Sequence, residues 1–226
     1  EQIYTEYVLF AGCLAKTKIP HLEAVTKNLL EKIGISLVDN PDYICCPDPV
    51  VFRSSSRTDW VTIAARNLSL DGTRPIVTIC PGCASSLSEA RLTLESDDKL
   101  RQEVKLRLRN AGLDLRLPQV FHFLKVVTNK DYRDRIRSGV TKQLRDLRVA
   151  CHYGCHLVKP SNAVEFDDPE KPTSMDDLVG ILEAQSLDYE DKYLCCGRPS
   201  LDEEVSANIL KHKVEKMKDA GAQAIC

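Results

Sequence analysis

The feature that most constrains this 226-residue chain is a cysteine pattern that occurs twice. In the first half the pattern consists of the lone Cys13, the adjacent pair Cys45-Cys46 and the CxxC motif Cys80-Pro-Gly-Cys83. The second half repeats the lone cysteine and the pair as Cys155 and Cys195-Cys196. Because a spaced pattern that recurs indicates an internal duplication, we predict two related domains, at residues 1–117 and 118–226.

The composition is that of a folded protein that binds neither nucleic acid nor membranes. Hydrophobic residues make up 43% of the chain and charged residues 28%, so the chain can bury a core without disulfide staples. A net charge of −2 gives no basic excess to attract nucleic acid, and no apolar stretch approaches the ~18 residues of a membrane span. We see no secretory signal and therefore expect a cytoplasmic protein, in whose reducing surroundings clustered cysteines bind metal or perform redox chemistry.

Apolar runs predict where the cysteines lie in the fold. The runs at 7–11 and 147–153 read as short buried strands, and each leads to a Gly-Cys step, Gly12-Cys13 and Gly154-Cys155. Residues with helical periodicity follow the lone cysteine of each half, at 22–33 and 175–182. A second helical segment follows each cysteine pair, at 58–70 and 201–220. Further strands are predicted at 75–79 and 222–225, with mostly helical chain over 84–144.

This order predicts an α/β fold of two pseudo-repeated domains, each a mainly parallel sheet flanked by helices. The cysteines would then sit on loops at the carboxyl ends of strands, where such folds place their chemistry. For the last helix we expect a capping box, Ser200 with Glu203, and a buried stripe of Val205, Ile209 and Met217.

The adjacent cysteine pairs favour a multinuclear cluster over a single zinc ion. Neighbouring residues do not easily point two thiolates at one tetrahedral ion, and structural zinc takes four ligands rather than five. Iron–sulfur clusters prefer thiolate, and their irons lie far enough apart to take one neighbour each. A zinc or cluster scaffold that serves only assembly stays open at this point, and Cys151 and Cys226 fit the role of packed structural residues.

Five phrases of the sequence carry a resemblance to a known family. They are Phe10-Ala-Gly-Cys13, Cys45-Cys46-Pro47, Thr78-Ile-Cys-Pro-Gly-Cys83, Cys151-His-Tyr-Gly-Cys-His156 and Tyr193-Leu-Cys-Cys-Gly197. The sequence resembles the catalytic B subunits of heterodisulfide reductases and, more broadly, the cysteine-rich CCG domain family. The repeated cysteine motif is specific for the CCG family, and the choice within it rests on the intervening phrases, including residues 64–68.

The resemblance implies an oxidoreductase with two noncubane [4Fe-4S] clusters that reduce the mixed disulfide of coenzyme M and coenzyme B in methanogenic archaea. It also implies that the electrons arrive from a ferredoxin-like subunit and a flavin-containing subunit of the same complex, coupled to a hydrogenase or a formate dehydrogenase. The cluster ligands in this sequence would be Cys13, Cys45, Cys46, Cys80 and Cys83, and then Cys155, Cys195 and Cys196. The alternative is an electron-transfer subunit of another CCG oxidoreductase, of the thiol:fumarate reductase or lactate/glycolate dehydrogenase type.

The main departure from the family pattern concerns the second motif. No CxxC follows Cys195-Cys196, and alignment with the first repeat puts Cys226 a few residues short of that position. We therefore expect that Cys226 and Cys151 are not ligands and that the native chain continues to a second CxxC, so that the second cluster is incomplete in a chain ending at Cys226.

The implied substrate carries sulfonate, carboxylate and phosphate groups, so cationic side chains should line its site. The candidates next to the two motifs are Lys16, Arg53, His152, His156, Lys159 and Arg198.

Overall fold

A computed structural model of the chain describes residues 4–198 and 200–226, and these form two compact units. The first unit comprises the described chain as far as Lys125 together with Asn162–Glu165, and the second comprises Val126–Ser161 and Phe166–Cys226. Each unit has its own parallel β-sheet. The predicted α/β fold with two parallel sheets flanked by helices is confirmed.

The first unit alternates strands and helices along most of its length. In chain order its elements are β1 (Glu6–Phe10), α1 (Cys13–Lys18), α2 (Pro20–Lys32), β2 (Ser36–Asp39), α3 (Val51–Ser55), α4 (Arg57–Leu68), β3 (Ile76–Thr78), α5 (Pro81–Ser96), α6 (Asp98–Asn110), β4 (Val120–His122) and α7 (Phe123–Val127), which runs on into the second unit. The strand order is β2-β1-β3-β4, and every pair is parallel. Strand β1 is buried from Tyr7 to Phe10, as a near-continuous apolar run in a sheet covered on both faces should be.

The core of this unit forms between the sheet and the helices α4 and α5. Trp60 and Leu87 are fully buried there, and α6 adds Val104. Helix α2 ends as predicted before Gly34, whose φ of +83° is a left-handed conformation that glycine adopts without a steric penalty.

The second unit is built on the same plan with a smaller sheet. The remaining elements are α8 (Lys130–Gly139), β5 (Arg148–Ala150), α9 (Cys155–Val158), α10 (Ser161–Val164), α11 (Ser174–Ile181), β6 (Gln185–Leu187), α12 (Glu203–Asp219) and β7 (Ala224–Ile225). The strand order is β6-β5-β7, again parallel throughout, and residues 162–164 of α10 belong to the first unit.

Two expectations for α12 are wrong. Its N-cap is Asp202, whose carboxylate accepts from the backbone N–H groups of Glu204 and Val205, while Ser200 accepts from Asp202 N and lies outside the helix. The predicted buried stripe holds only at Met217, since Val205 is 47% and Ile209 36% exposed. The nearer carboxylate reaches the first-turn N–H groups directly, which leaves the serine no capping role.

The boundary between residues 117 and 118 stays a prediction. In the structure the strand that follows it, β4, pairs with β3 and completes the sheet of the first unit. None of the described helices has the length and apolar character needed to cross a membrane.

Candidate metal centre

The five cysteines of the first motif come together at one edge of the first sheet. Cys13 follows β1 and opens α1, while Cys80 is the N-cap of α5, just beyond β3. Because β1 and β3 are neighbouring parallel strands, their carboxyl ends deliver both loops to the same place. The pair Cys45-Cys46 joins them from the segment between β2 and α3.

The thiols form a continuous series of contacts. Cys45 is close enough to Cys13 and Cys46 for both thiols to raise its pKa, and the thiol of Cys83 lowers the pKa of Cys46. The pKa of Cys83 is in turn raised by the neighbouring Cys46 and Cys80. Residues spread over 71 positions of sequence therefore present five adjacent sulfur atoms.

A glycine allows the loop after β1 to approach the CxxC motif. Gly12 has φ +82°, and a Cβ atom on it would lie 3.0 Å from Cys83 Sγ and 3.4 Å from Cys80 Cβ. Both the backbone conformation and the missing side chain are needed, since a larger residue would displace the thiols.

Buried polar side chains on α4 and α5 hold the adjacent pair in place. Asn67 accepts from Ile44 N at 3.2 Å and donates to the carbonyl oxygen of Cys45 at 3.0 Å. Ser86 donates to the carbonyl oxygens of Cys46 and Pro47, at 2.7 and 2.6 Å. The segment has no regular structure, so these bonds replace the backbone pairing that a strand would supply.

The surroundings of Cys80 and Cys45 shift the pKa values of their thiols in opposite directions. A hydrogen bond from the Cys83 thiol lowers the pKa of Cys80 to about 6, against the effect of burial, and backbone N–H groups of Gly82 and Cys83 add to it. Burial, followed by the neighbouring Cys46 and Cys13, raises the pKa of Cys45 to about 11. Cys80 at the start of α5 is therefore a thiolate at neutral pH, the form that binds metal.

An open cavity of about 250 Å³ borders these cysteines. Its lining includes residues 10–13 together with Lys16, Tyr43 and Cys45. Phe10 and Tyr43 meet edge to face, with ring centroids 4.9 Å apart, and form an apolar wall. Of the cations predicted near this motif, Lys16 lies in the cavity lining.

Arg53, the other cation predicted near the first motif, has a different environment. It pairs with Glu89 and lies over the ring of Trp60, 5.8 Å from the centroid. Its charge is thus matched by a carboxylate on α5.

The second motif brings together Cys155, Cys195 and Cys196. Cys155 opens α9 after Gly154, and its pKa is raised by burial and by the neighbouring Cys195 and Cys196. The backbone N–H of Gly197 donates to Cys195 Sγ at 3.4 Å. These contacts repeat, in the second unit, the meeting of lone cysteine and pair seen in the first.

Two residues support the loop that carries this pair. Lys213 of α12 is 2% exposed, and its ammonium donates to the carbonyl oxygens of Asp191, Lys192 and Leu194 at 2.8–3.0 Å. Gly197, at φ +79°, passes so close to α12 that a Cβ atom would lie 2.9 Å from the Ser206 carbonyl oxygen. Sequence reasoning missed Lys213 because a lysine on a helix normally faces solvent.

The cations predicted near the second motif differ in their partners. Burial and the charge of Lys213 lower the pKa of His152, so this ring is neutral at pH 7. Lys159 pairs with Glu170 at 2.9 Å, His156 is half-buried, and Arg198 is exposed.

Cys226 does not occupy the position of a CxxC cysteine. Aligned through their Gly-Cys steps, Val8 of β1 corresponds to Ala150 of β5, and these pair with Ile76 and Ile225 respectively. Cys226 thus corresponds to Val77, three positions before Cys80. This register agrees with the expectation that Cys226 lies a few residues short of the position that corresponds to Cys80.

The donor set of the first unit fits a multinuclear iron–sulfur cluster. Within residues 4–198 and 200–226, no group of three or more His, Cys, Asp or Glu side chains is arranged to hold a metal ion. The five thiols of the first motif nevertheless lie near one another, and all ten cysteines are free thiols. The five thiols come from three loops, one more than the four ligands of a single zinc ion, and a cluster with several irons can use all of them.

Comparison with known proteins identifies the family. The sequence pattern of the CCG family, described as a cysteine-rich domain, matches residues 7–88 and 149–226, one stretch in each unit. This chain belongs to the CCG cysteine-rich domain family. The resemblance inferred from the sequence is confirmed.

Similar curated proteins include heterodisulfide reductase B subunits. The chain is 35% identical over 224 residues to the one from the ferredoxin/F(420)H(2)-dependent CoB-CoM heterodisulfide reductase of Methanosarcina acetivorans, and 34% identical over 225 residues to the one from the ferredoxin:CoB-CoM heterodisulfide reductase of Methanosarcina mazei. Each match covers 96% of this chain and 74% of the relative. The "8-methylmenaquinol:fumarate reductase membrane anchor subunit" of Wolinella succinogenes is 26% identical, over 85% of this chain and 67% of its own length.

A solved structure shares the fold. The crystal structure of a hypothetical protein from Helicobacter pylori superposes with a TM-score of 0.69 at 14% identity, over 99% of this chain. The chain spans 41% of the length of that protein, and the likeness concerns the fold alone.

The support of the cysteine pair by Ser86 can be tested by replacing it with alanine. Ser86 accepts from Trp60 Nε1 at 3.0 Å besides donating to two carbonyls, so Ser86→Ala leaves buried groups unpaired. We expect the free energy of unfolding to fall by about 1–3 kcal/mol. Urea unfolding followed by fluorescence is selective, because Trp60 is the chain's one tryptophan.

Ser96→Ala is the matched control. Ser96 lies on the same helix, is exposed, and donates only to the backbone of its own helix. Its effect should stay within about 0.5 kcal/mol. Equal unfolding midpoints for the two variants would contradict the assigned role of Ser86.

The acidity of Cys80 predicts how it reacts in protein free of bound metal. Since its pKa is lowered to about 6, the thiolate fraction rises as the pH increases through 6 and is nearly complete at pH 8. Alkylation by iodoacetamide, followed per cysteine by peptide mass spectrometry, should show this midpoint. Cys45, whose pKa is raised to about 11, should still react slowly at pH 8. A midpoint for Cys80 near 9, the ordinary pKa of a cysteine thiol, would contradict this prediction.

Proposed function

We propose that this chain is the catalytic iron–sulfur subunit of a heterodisulfide reductase complex. It reduces the mixed disulfide of coenzyme M and coenzyme B at two noncubane [4Fe-4S] clusters. The observation that carries this proposal is the meeting of five thiols at one sheet edge beside an open cavity. The identity of 34–35% to proteins named as heterodisulfide reductase B subunits supports the choice of reaction.

The chain supplies cluster ligands from both units. The thiols that would hold the first cluster are Cys13, Cys45, Cys46, Cys80 and Cys83, and those that this sequence contributes to the second are Cys155, Cys195 and Cys196. Thiolate is the preferred ligand of iron–sulfur clusters, and the lowered pKa of Cys80 favours that form. When bound, the clusters supply single electrons and iron sites for sulfur, and two electrons are needed to cleave a disulfide.

The residues around the cavity suit an anionic disulfide. Gly12, Cys13 and Cys45 are among the residues that line it, so sulfur of a bound substrate can come close to the first ligand set. The Phe10 and Tyr43 rings form the apolar wall and limit the access of water to the cavity from that side. Lys16 offers a compact positive charge to a sulfonate, carboxylate or phosphate.

We assign Arg53, His152, His156, Lys159 and Arg198 to substrate binding as secondary candidates. Arg53 and Lys159 have carboxylate partners, which an anionic substrate would have to displace. Lys16 is accordingly the leading cation of this proposal.

The proposed partners are a ferredoxin-like subunit and a flavin-containing subunit of the same complex, with a hydrogenase or a formate dehydrogenase as the electron source. Relatives that are named as B subunits imply further subunits. Centres that pass single electrons need such a donor, because each disulfide cleaved consumes two electrons that must be replaced.

A second candidate is an electron-transfer subunit of another CCG oxidoreductase. The relative named as a fumarate reductase subunit favours it. The two functions differ in what the intact complex reduces. Heterodisulfide-dependent oxidation of a reduced viologen dye supports the first function, and activity with fumarate alone supports the second.

Because Gly12 approaches the CxxC motif closely, we predict that a side chain at this position disrupts binding of the first cluster. Gly12→Ala adds a Cβ atom 3.0 Å from Cys83 Sγ, so the native complex should lose about half of the iron of this subunit, the share of one ligand set out of two. The measurement is iron and acid-labile sulfide per subunit.

Gly72→Ala is the control that separates the steric effect of the added Cβ atom in Gly12→Ala from the effect of backbone strain. Gly72 also has positive φ, +68°, but nothing lies within 4 Å of its added Cβ atom. Strain alone costs about 1–2 kcal/mol, and this variant should keep its full iron content. A Gly12→Ala subunit with full iron would argue against the proposed cluster position.

The reaction is tested by removing one thiol of the second set. Cys195→Ala or Cys196→Ala should abolish heterodisulfide reduction, while the first ligand set keeps its iron and its EPR signal. The subunits should still co-purify. Cys226→Val, which removes a thiol outside the assigned ligands, should keep the activity. Full activity in both alanine variants would make the second set structural and overturn the proposed mechanism.

A further inference from the structure

Two cysteines outside the assigned ligand sets face each other across neighbouring strands of the second sheet. Cys226 N donates to the Ala150 carbonyl oxygen at 3.1 Å, and His152 N donates to the Cys226 carbonyl oxygen at 2.7 Å. In a parallel ladder these two bonds place Cys226 directly opposite Cys151. Their Sγ atoms lie 3.5 Å apart.

We propose that Cys151 and Cys226 form a thiol–disulfide redox site, separate from the clusters, that is oxidised by an external disulfide. Neighbouring strands lie ~4.8 Å apart, within the ~4.4–6.8 Å between Cα atoms that a disulfide requires. The sulfur atoms already touch, so a change of side-chain torsion brings them to bonding distance. No backbone rearrangement is needed.

The first repeat shows that this pair is not part of the repeated ligand pattern. The corresponding residues of the first sheet are Leu9 and Val77, which pair with each other and carry no thiol. The second repeat has cysteine at both positions. Two thiols at one paired site are what a reversible cross-link needs.

A partly buried polar network adjoins the pair. Ser186 Oγ lies 3.5 Å from Cys151 Sγ and donates to the Asp176 carboxylate. Asp176 also accepts from Lys192 Nζ at 2.8 Å and from Tyr153 OH at 2.7 Å. The hydrogen bond with Cys151 lowers the pKa of Cys226, and the positive charge of Lys192 contributes in the same direction.

Burial fixes the order of the steps. Cys151 is fully buried and does not meet an external disulfide, so the Cys226 thiolate attacks first. The S–S bond of the external molecule breaks, a mixed disulfide forms on Cys226, and one thiolate leaves and takes a proton from water. Cys151 then loses its proton to water and attacks Cys226 Sγ, which releases the second thiolate, and that thiolate takes up a proton. Two electrons pass from the two protein thiols to one external disulfide, which becomes two thiols.

The cross-link would change how β7 is held. This strand comprises only Ala224–Ile225 and is joined to β5 by backbone hydrogen bonds. A disulfide between residues 75 positions apart would fix it covalently. The redox state of the pair thus sets the stability of this edge of the sheet.

The test uses the full-length native complex with its clusters, kept anaerobic in buffers of reduced and oxidised glutathione. Samples are quenched with N-ethylmaleimide and mapped by non-reducing peptide mass spectrometry. We expect a cross-linked peptide joining Cys151 and Cys226 that increases with oxidised glutathione and disappears with dithiothreitol, at constant iron content. Separate labelling of both cysteines at every ratio would overturn the proposal.

Two variants distinguish a redox pair from cluster ligands. Cys226→Val installs the residue that the first repeat has at this position, and Cys151→Ala removes the buried partner. Both should abolish the cross-linked peptide and leave iron and sulfide unchanged. Loss of iron in either variant would make these cysteines ligands and refute the redox site. The readouts are a cross-link and an iron content, so they do not depend on whether the proposed reductase activity is correct.

Discussion

The structure depends on parallel pairing between β1 and β3, which brings the carboxyl ends of two distant strands to the same edge of a sheet. The lone cysteine follows one strand and the CxxC motif follows the other. Gly12 then lets the two loops touch, and Asn67 and Ser86 hold the adjacent cysteines against them. A buried sheet thus provides a rigid base for the loop and the helix starts that carry the thiols. This rigidity matters because a cluster bound by five thiols requires all of them in place together.

The two units use this plan differently. In the first, hydrogen bonds from buried neutral side chains support the cysteine pair. In the second, the ammonium group of Lys213 gathers three carbonyl oxygens just ahead of Cys195. The second unit also replaces an apolar pair of strand residues by Cys151 and Cys226. The lone and paired cysteines therefore follow corresponding strands in both units, while the contacts that support them differ.

Much of this arrangement could be predicted from sequence because it rests on strong local signals. Buried parallel strands are apolar runs, and Gly-Cys steps mark where β1 and β5 end. The supporting residues gave no such signal, since Asn67 and Lys213 on helices read as ordinary surface positions until tertiary packing buries them. The stripe predicted for α12 failed at Val205 and Ile209 for the converse reason, because periodicity identifies an apolar face without saying what covers it.

The central claim is that the clustered thiols hold iron–sulfur clusters rather than a lone ion. Its most direct test is iron and acid-labile sulfide analysis of the anaerobically purified native complex, combined with EPR spectroscopy before and after addition of the heterodisulfide. The account predicts iron and sulfide in about equal amounts, at about four of each per complete set of ligands, and an EPR signal that changes when the disulfide is added. Zinc as the bound metal, without sulfide and without an EPR signal, would contradict it.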